Sequence, residues 1–257
     1  MTTMIVIAQR HGILLPNLLP SLLSMSELRL LGVVCLSRRL PQLSPPGNGA
    51  LDRINIFGLK TWLVRQFLGL THRIRAPLKA FRMRAILNRY GISSIMEADD
   101  VNDPALLNHI RSLAPDLILS VLALQRFGPD LLRIPRVGCV NIHLGLIPEH
   151  RGLCSSFWSL YNGDDEFGVT IHLMNGRLDA GSVIRERRFR ILPDETVLSL
   201  ERRQIRLIPD LLKEALIAVL SSDVRLQEND LSRGNYHSVP SREVLIAFRK
   251  ERGGRWV

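Results

Sequence analysis

Acidic residues are almost missing from one long stretch of this chain. Between Arg38 and Tyr90 there are eleven Lys or Arg and a single acid, Asp52, a balance of 11 − 1 = +10. The whole 257-residue chain also carries +10, so everything outside this block is neutral in sum. Cysteine is scarce as well. Cys35, Cys139 and Cys154 show no CxxC or zinc-ligand spacing, so no metal centre is legible. Cys35 and Cys139 lie inside apolar runs and read as buried free thiols, which fits a reducing cytoplasm. No run approaches the roughly 18 apolar residues that a membrane span needs. Met1 to Gln9 is short and lacks a basic region before its apolar run, so it reads as a first strand rather than a signal peptide. What is present, 46% hydrophobic and 23% charged residues, is ordinary for a globular protein with one large domain or one domain and a small appendage.

Apolar runs alternate with helical patterns along the chain. Met4–Ala8, Leu31–Leu36, Ile92–Met96, Asp116–Val121, Val137–His143 and Val169–Met174 read as strands. Several lack polar alternation, as expected of strands covered on both faces of a parallel sheet. Helices are expected over Asn17–Leu30, with Pro20 limiting where it can begin, over Ile56–Asn88, with a break or kink at Pro77, and from Asp103-Pro104 to just before Pro115. Thr196–Leu220 reads as a long amphipathic helix, and Arg242–Lys250 as a short one after Tyr236-His237. Pro41–Gly49 is the expected flexible loop. This rhythm argues for an open α/β sheet with its site at the strand ends.

The chemistry concentrates between Gly138 and Ile184. Asn141 and His143, two residues apart on a β-branched run, project from one face of a strand. A turn-like Leu146–Gly152 follows, then Gly168–Met174, then a small-residue loop carrying Asp179. An amide donor, a titratable base and an acid converging from separate loops are the ingredients for acyl transfer to an amine.

The ordered set Asn141-Ile142-His143, Pro148, Arg151-Gly152, Phe157-Trp158, Gly168–His172 and Leu178-Asp179-Ala180-Gly181 resembles the formyltransferases that use 10-formyltetrahydrofolate. Glycinamide ribonucleotide, methionyl-tRNA and amino-sugar formyltransferases belong to that family. The resemblance is strong from about Val121 to Pro193 and weak before it. It implies a Rossmann-like, mostly parallel twisted sheet with helices on both faces. Residues 1–225 would form the catalytic domain, including a basic helical insertion at about 38–90, and residues 226–257 a short C-terminal extension. It further implies that Asn141 binds the formyl oxygen as it becomes an oxyanion and that His143 assists proton transfer. Asp179 would take up the amine's proton through water or hold His143 in its useful ionisation state. The formyl donor's pterin would lie along Leu124-Gln125-Arg126-Phe127 and against Asn175, Gly176, Arg177 and Leu178. No metal is implied. The family usually has serine and leucine where this chain has Gly145 and Ile147, a departure that bears on how the loop closes.

Other residues admit plainer readings. His172 is a partner of the site or a satisfied core histidine, His150 a solvated loop residue, and Phe157 and Trp158 core packing. Arg151 shapes the loop or touches an anionic substrate. The basic block is a solvated helical insertion packing on the domain or a partner subunit, a recruiter of anionic substrate, or a basic amphipathic surface for membrane or nucleic acid anchored by Trp62 and Phe67. The leading acceptor is an amino-sugar nucleotide. Transfer RNA is not expected, because the sizeable C-terminal domain of methionyl-tRNA formyltransferases is lacking. Hydrolysis of 10-formyltetrahydrofolate is the same-fold alternative, although hydrolases carry an N-terminal regulatory domain. A polyanion- or membrane-binding protein with an idle site is the alternative from another class.

Overall fold

The computed structural model describes residues 1–9, 14–37, 50–92, 94–221, 224–251, 253 and 255–257. Five strands run parallel: Thr2–Gln9 (β1), Leu28–Leu36 (β2), Ile95–Ala98 (β3), Leu117–Val121 (β4) and Gly138–His143 (β5). A short strand, His150–Gly152 (β6), leaves the sheet. Glu166–Leu173 (β7) then returns to it antiparallel to β5, and Val183–Arg190 (β8) pairs antiparallel with β7 and so runs in the direction of the first five. The order is β3-β2-β1-β4-β5-β7-β8. Chain direction across the sheet reverses between β1 and β4, the kind of switch point where open α/β sheets place their ligands.

Successive residues of β1 alternate between two apolar layers. Met4, Val6 and Ala8 face one layer, and Ile5 and Ile7 the other. The first layer is covered by Leu14–Leu23 (α1), Leu59–Arg89 (α3) and Val197–Leu220 (α7). The second is covered by Pro104–Leu113 (α4) and Pro129–Leu132 (α5). Unbroken apolar strands are the consequence of that double covering. The mostly parallel α/β sheet therefore matches the expectation from the sequence.

Element boundaries differ at instructive places. The helix expected over Asn17–Leu30 begins at Leu14, includes Pro20 and ends at Leu23, because Leu28 and Leu30 already belong to β2. Pairing of Leu28 with Thr2 along the full length of β1 outcompetes further helix. The third strand starts at Ile95 rather than Ile92, whose side chain is instead buried in the first layer. The break expected at Pro77 falls earlier, at Gly58, where φ is 83° and Ala50–Phe57 (α2) gives way to α3. α3 then runs continuously past position 77. The Val183–Arg190 strand was not expected, since Arg-Glu-Arg-Arg disguises it. Such charge suits the edge strand it forms. The loop expected at Pro41–Gly49 lies outside the described residues.

The last segment contributes Asn235–His237 (β9), paired in parallel with β6, and Arg242–Glu251 (α8), packed on α2. A third apolar cluster joins it to the rest. The ring of Trp256 lies 5.2 Å from Phe57, 5.2 Å from Phe157 and 5.1 Å from Phe248. Phe157 and Leu160, on Ser155–Asn162 (α6), are buried there, in keeping with a packing role.

Candidate active site

β5 carries Asn141 and His143 on one face, beside the C-terminal ends of β4 and β1. Pairing with β7 sets Asn141 opposite His172 and His143 opposite Thr170. His172 is buried, and its Nδ1 donates to the Leu173 carbonyl at 2.7 Å. A neutral ring then has Nε2 as an acceptor, so the Asn141 amide nitrogen, 3.1 Å away, donates to it. This contact fixes which way the amide faces. The second N–H and the carbonyl oxygen of Asn141 remain for the cleft.

His143 is held as tightly. The backbone oxygen of His150 can only accept, and it lies 2.7 Å from His143 Nε2, so Nε2 carries the proton. The other nitrogen, Nδ1, faces Asp179 Oδ2 at 3.5 Å. Burial pushes the His143 pKa below the ordinary histidine value, opposed in part by the Asp179 charge. The resting ring is therefore a neutral base with its lone pair at Nδ1.

Asp179 sits on a loop with left-handed backbone, φ 47°. Burial opposes its charge. The neighbouring His143 and His172 rings and the Gly152 N–H at 2.8 Å outweigh that cost and keep its pKa below the usual carboxylate range. Its other oxygen, Oδ1, is 3.5 Å from His172 Nε2. The loop is fixed from outside by Asn229, whose Nδ2 donates to the carbonyls of Asp179 at 3.0 Å and Gly181 at 3.2 Å. A Cβ at Gly181 would fall 1.7 Å from the Leu173 carbonyl oxygen, so only glycine lets the loop close on β7.

These groups open into a cleft of about 640 Å³ whose lining falls into two walls. One consists of Leu122–Phe127 after β4 together with Met174, Asn175 and Arg177–Asp179, tied by a 2.6 Å bond from Arg126 to the Gly176 carbonyl. The second consists of Gly152–Ser156, Glu201, Tyr236, Ser238 and Val239. It is tied by the β6–β9 pairing and by a 3.1 Å bond from Ser156 to Gln204 on α7. Each of the eight residues expected at the formyl-donor pocket except Gly176 lines the first wall. The Gln125 amide is already engaged, accepting from Val101 N at 2.8 Å and donating to the Asp99 carbonyl at 2.8 Å. Leu122 and Leu124 both hold positive φ, 50° and 54°, a strain of about 1–3 kcal/mol each. Among the described residues no group of His, Cys, Asp and Glu is arranged to hold a metal ion.

Several expectations need correction. His150 is buried rather than solvated, with Nε2 2.5 Å from Asp164 Oδ2 and its ring stacked on His237 at 5.3 Å. The β6–β9 pairing closes over it, and that pairing joins residues more than eighty positions apart. Arg151 faces Tyr236 in that pair and is not among the residues lining the cleft. Trp158 stacks on His237 at 4.9 Å and donates to the Ser238 carbonyl at 2.9 Å, so it supports the second wall rather than only filling a core. A Cβ at Gly145 would lie 2.8 Å from His143 Nε2 and 2.9 Å from Ser155 Oγ. The space of a larger residue is thus held by Ser155. Ser155, Asn229, Glu201 and Tyr236 had no local signal, because each reaches the site through tertiary pairing.

The Formyl transferase family model matches residues 70–216. Methionyl-tRNA formyltransferase of Thermotoga maritima is 33% identical over 164 residues, covering 64% of this chain and 52% of that protein. The chain spans about half the length of the curated relatives it matches. Among solved structures, glycinamide ribonucleotide transformylase 1 from Symbiobacterium toebii aligns with a TM-score of 0.60 at 18% identity, over 90% of this chain and 95% of its own. A sugar N-formyltransferase from a Shewanella species aligns at 0.58 and 19% identity, over 97% and 87%. These two likenesses concern the fold. With more than half of its length matched by the family model, the chain belongs to the formyltransferase family.

Proposed function

We propose that this protein transfers a formyl group from 10-formyltetrahydrofolate to a primary amine of a small molecule, an amino-sugar nucleotide being the leading acceptor. The observation that carries this reading is the convergence of the Asn141 amide, His143 Nδ1 and the Asp179 carboxylate on one cleft, at 3.1–3.5 Å spacings set by His172 and Asp179. The first wall, apolar with the Arg126 and Arg177 side chains at its rim, suits the donor's pterin and the acidic tail beyond it. Among its described lining residues the second wall holds Glu201, two serines on α6, a further serine and the Tyr236 ring, and no Lys or Arg. It suits the neutral, polyhydroxylated ring of a sugar better than its phosphates.

The chemistry follows from the tautomers. The acceptor amine attacks the formyl carbon while Asn141 donates to the oxygen that becomes an oxyanion. His143 Nδ1 takes the proton that the amine nitrogen must lose, and the Asp179 carboxylate stabilises the imidazolium formed. That proton returns to the departing folate nitrogen as its bond to the formyl carbon breaks. The products are the formamide and tetrahydrofolate, with no net proton gained or lost by the protein.

The test is transfer of labelled formyl from the donor to a panel of amines that includes amino-sugar nucleotides, glycinamide ribonucleotide and methionyl-tRNA. Labelled formamide with an amino-sugar nucleotide, abolished by Asn141→Ala, supports the reading. Formylation of methionyl-tRNA alone overturns the acceptor assignment. Donor turnover with no amine dependence overturns transfer in favour of hydrolysis.

A further inference from the structure

The site leaves one large feature unused, the outer face of α3. Leu59, Leu63, Phe67, Leu70 and Phe81 are each more than half exposed. At about 100° per residue they fall within an arc of about 80° and span about 33 Å along the helix. Thr61, Met83 and Leu87 lie on the opposite side and are buried, so the helix docks on the domain through one face and presents a second apolar stripe outward. Trp62 is only half-buried and sits nearer the docking face, which leaves Phe67 rather than Trp62 as the outward anchor. The 31 residues from Leu59 to Arg89 contain eight Lys or Arg and no Asp or Glu. Lys60, Arg84 and Arg89 are exposed beside the stripe.

We propose that α3 is a docking surface for an anionic lipid bilayer, lying flat with Leu59, Leu63, Phe67, Leu70 and Phe81 in the acyl boundary and Lys60, Arg84 and Arg89 among the headgroups. Charge decides between occupants. A second copy of this face would set Lys60, Arg84 and Arg89 against the same three cations, with no acid in either helix to offset them. A duplex gains little from five outward Leu and Phe side chains, since its affinity comes from phosphate contacts, and a single strand would stack on the two Phe rings but not on the three Leu. An anionic bilayer takes both components at once, apolar area for the stripe and negative surface potential for the flanks. Among the described residues no helix is long and apolar enough to cross a membrane, so the contact is interfacial. This inference does not rest on the formyl-transfer reading, because its test reads binding rather than turnover.

The experiment is co-sedimentation of the full chain with vesicles of phosphatidylcholine alone or mixed with phosphatidylglycerol. Binding to the mixed vesicles at least about tenfold tighter than to the neutral ones, and weakened about tenfold or more by half-molar salt, is expected. Phe67→Ser with Phe81→Ser should lower it by about tenfold or more, and Lys60→Gln with Arg89→Gln should erase most of the preference for anionic lipid. Thermal melting matching the wild type shows that each variant is folded, and a third variant, Leu63→Ser with Leu70→Ser, reads the same stripe should one pair misfold. The proposal is overturned by absent or equal binding to the two vesicles, or by binding that the serine variants leave unchanged. Single-stranded RNA bound more tightly than mixed vesicles also overturns it, as does a dimer in solution that the same variants dissociate.

Discussion

The cleft and α3 invert the usual distribution of side chains in opposite senses. Around the cleft, polar groups are inside: His143 and His172 are buried and each nitrogen has a partner or faces the carboxylate. On α3, large apolar groups are outside. Either inversion costs free energy, and the two are tolerated differently. A buried polar cluster is stable only when nearly every donor and acceptor is matched, so its geometry becomes rigid and specific. An exposed apolar stripe needs no geometry, only area, so it suits a partner that is itself fluid and featureless. The contrast separates the proposed place for chemistry from the proposed place for attachment.

Breaking the cleft should produce the largest effects. Asn141→Ala removes the donor to the developing oxyanion, and a loss of about 10²–10³ in kcat is expected in a formyl-transfer assay. A smaller loss would mean that backbone groups stabilise the charge instead. Next comes Asp179→Asn, expected to lower kcat by about a hundredfold. Its pH profile sharpens the assignment. In the proposed mechanism His143 is a neutral base with a pKa lowered by burial, so activity should be retained down to below the ordinary value of 6.5 and lost as pH falls through the lowered pKa. The Asp179 charge raises that pKa, so the acid limb of kcat/KM in Asp179→Asn should move to lower pH. Movement to higher pH would remove Asp179 from contact with the base.

Gly145→Ala should lower kcat by about tenfold, because its methyl lies within contact of His143 Nε2 and strains the bond to the His150 carbonyl. Adding Ser155→Gly should recover part of the loss by freeing space beside it. The smallest effect belongs to the other region. Phe67→Ser should change thermal stability by no more than about 0.5 kcal/mol and leave soluble turnover unchanged. A drop of several kcal/mol would show that the stripe packs on the protein itself.

The strand of the candidate site was legible because period-2 geometry puts Asn141 and His143 on one face whatever surrounds them. Asp179 was legible as the one carboxylate of the small-residue loop after Gly168–Met174, and its role came from its spacing within a family-like series. His150 was misread as a loop residue, since nothing between Leu146 and Gly152 announces a partner strand at Asn235–His237. Glu201, Asn229 and Tyr236 were invisible for the same reason. The helix carrying the basic block was legible, but its break was assigned to Pro77 rather than to Gly58.

By itself, then, the sequence determined most of the long elements, the doubly covered sheet and the pair on β5, because local periodicity and burial are written residue by residue. Tertiary structure alone decided which nitrogen of His143 is free, which way the Asn141 amide faces and which side of α3 looks outward. Those depend on a carbonyl at His150, a ring at His172 and a docking face on the domain, groups that chain distance hides and that only packing brings within reach.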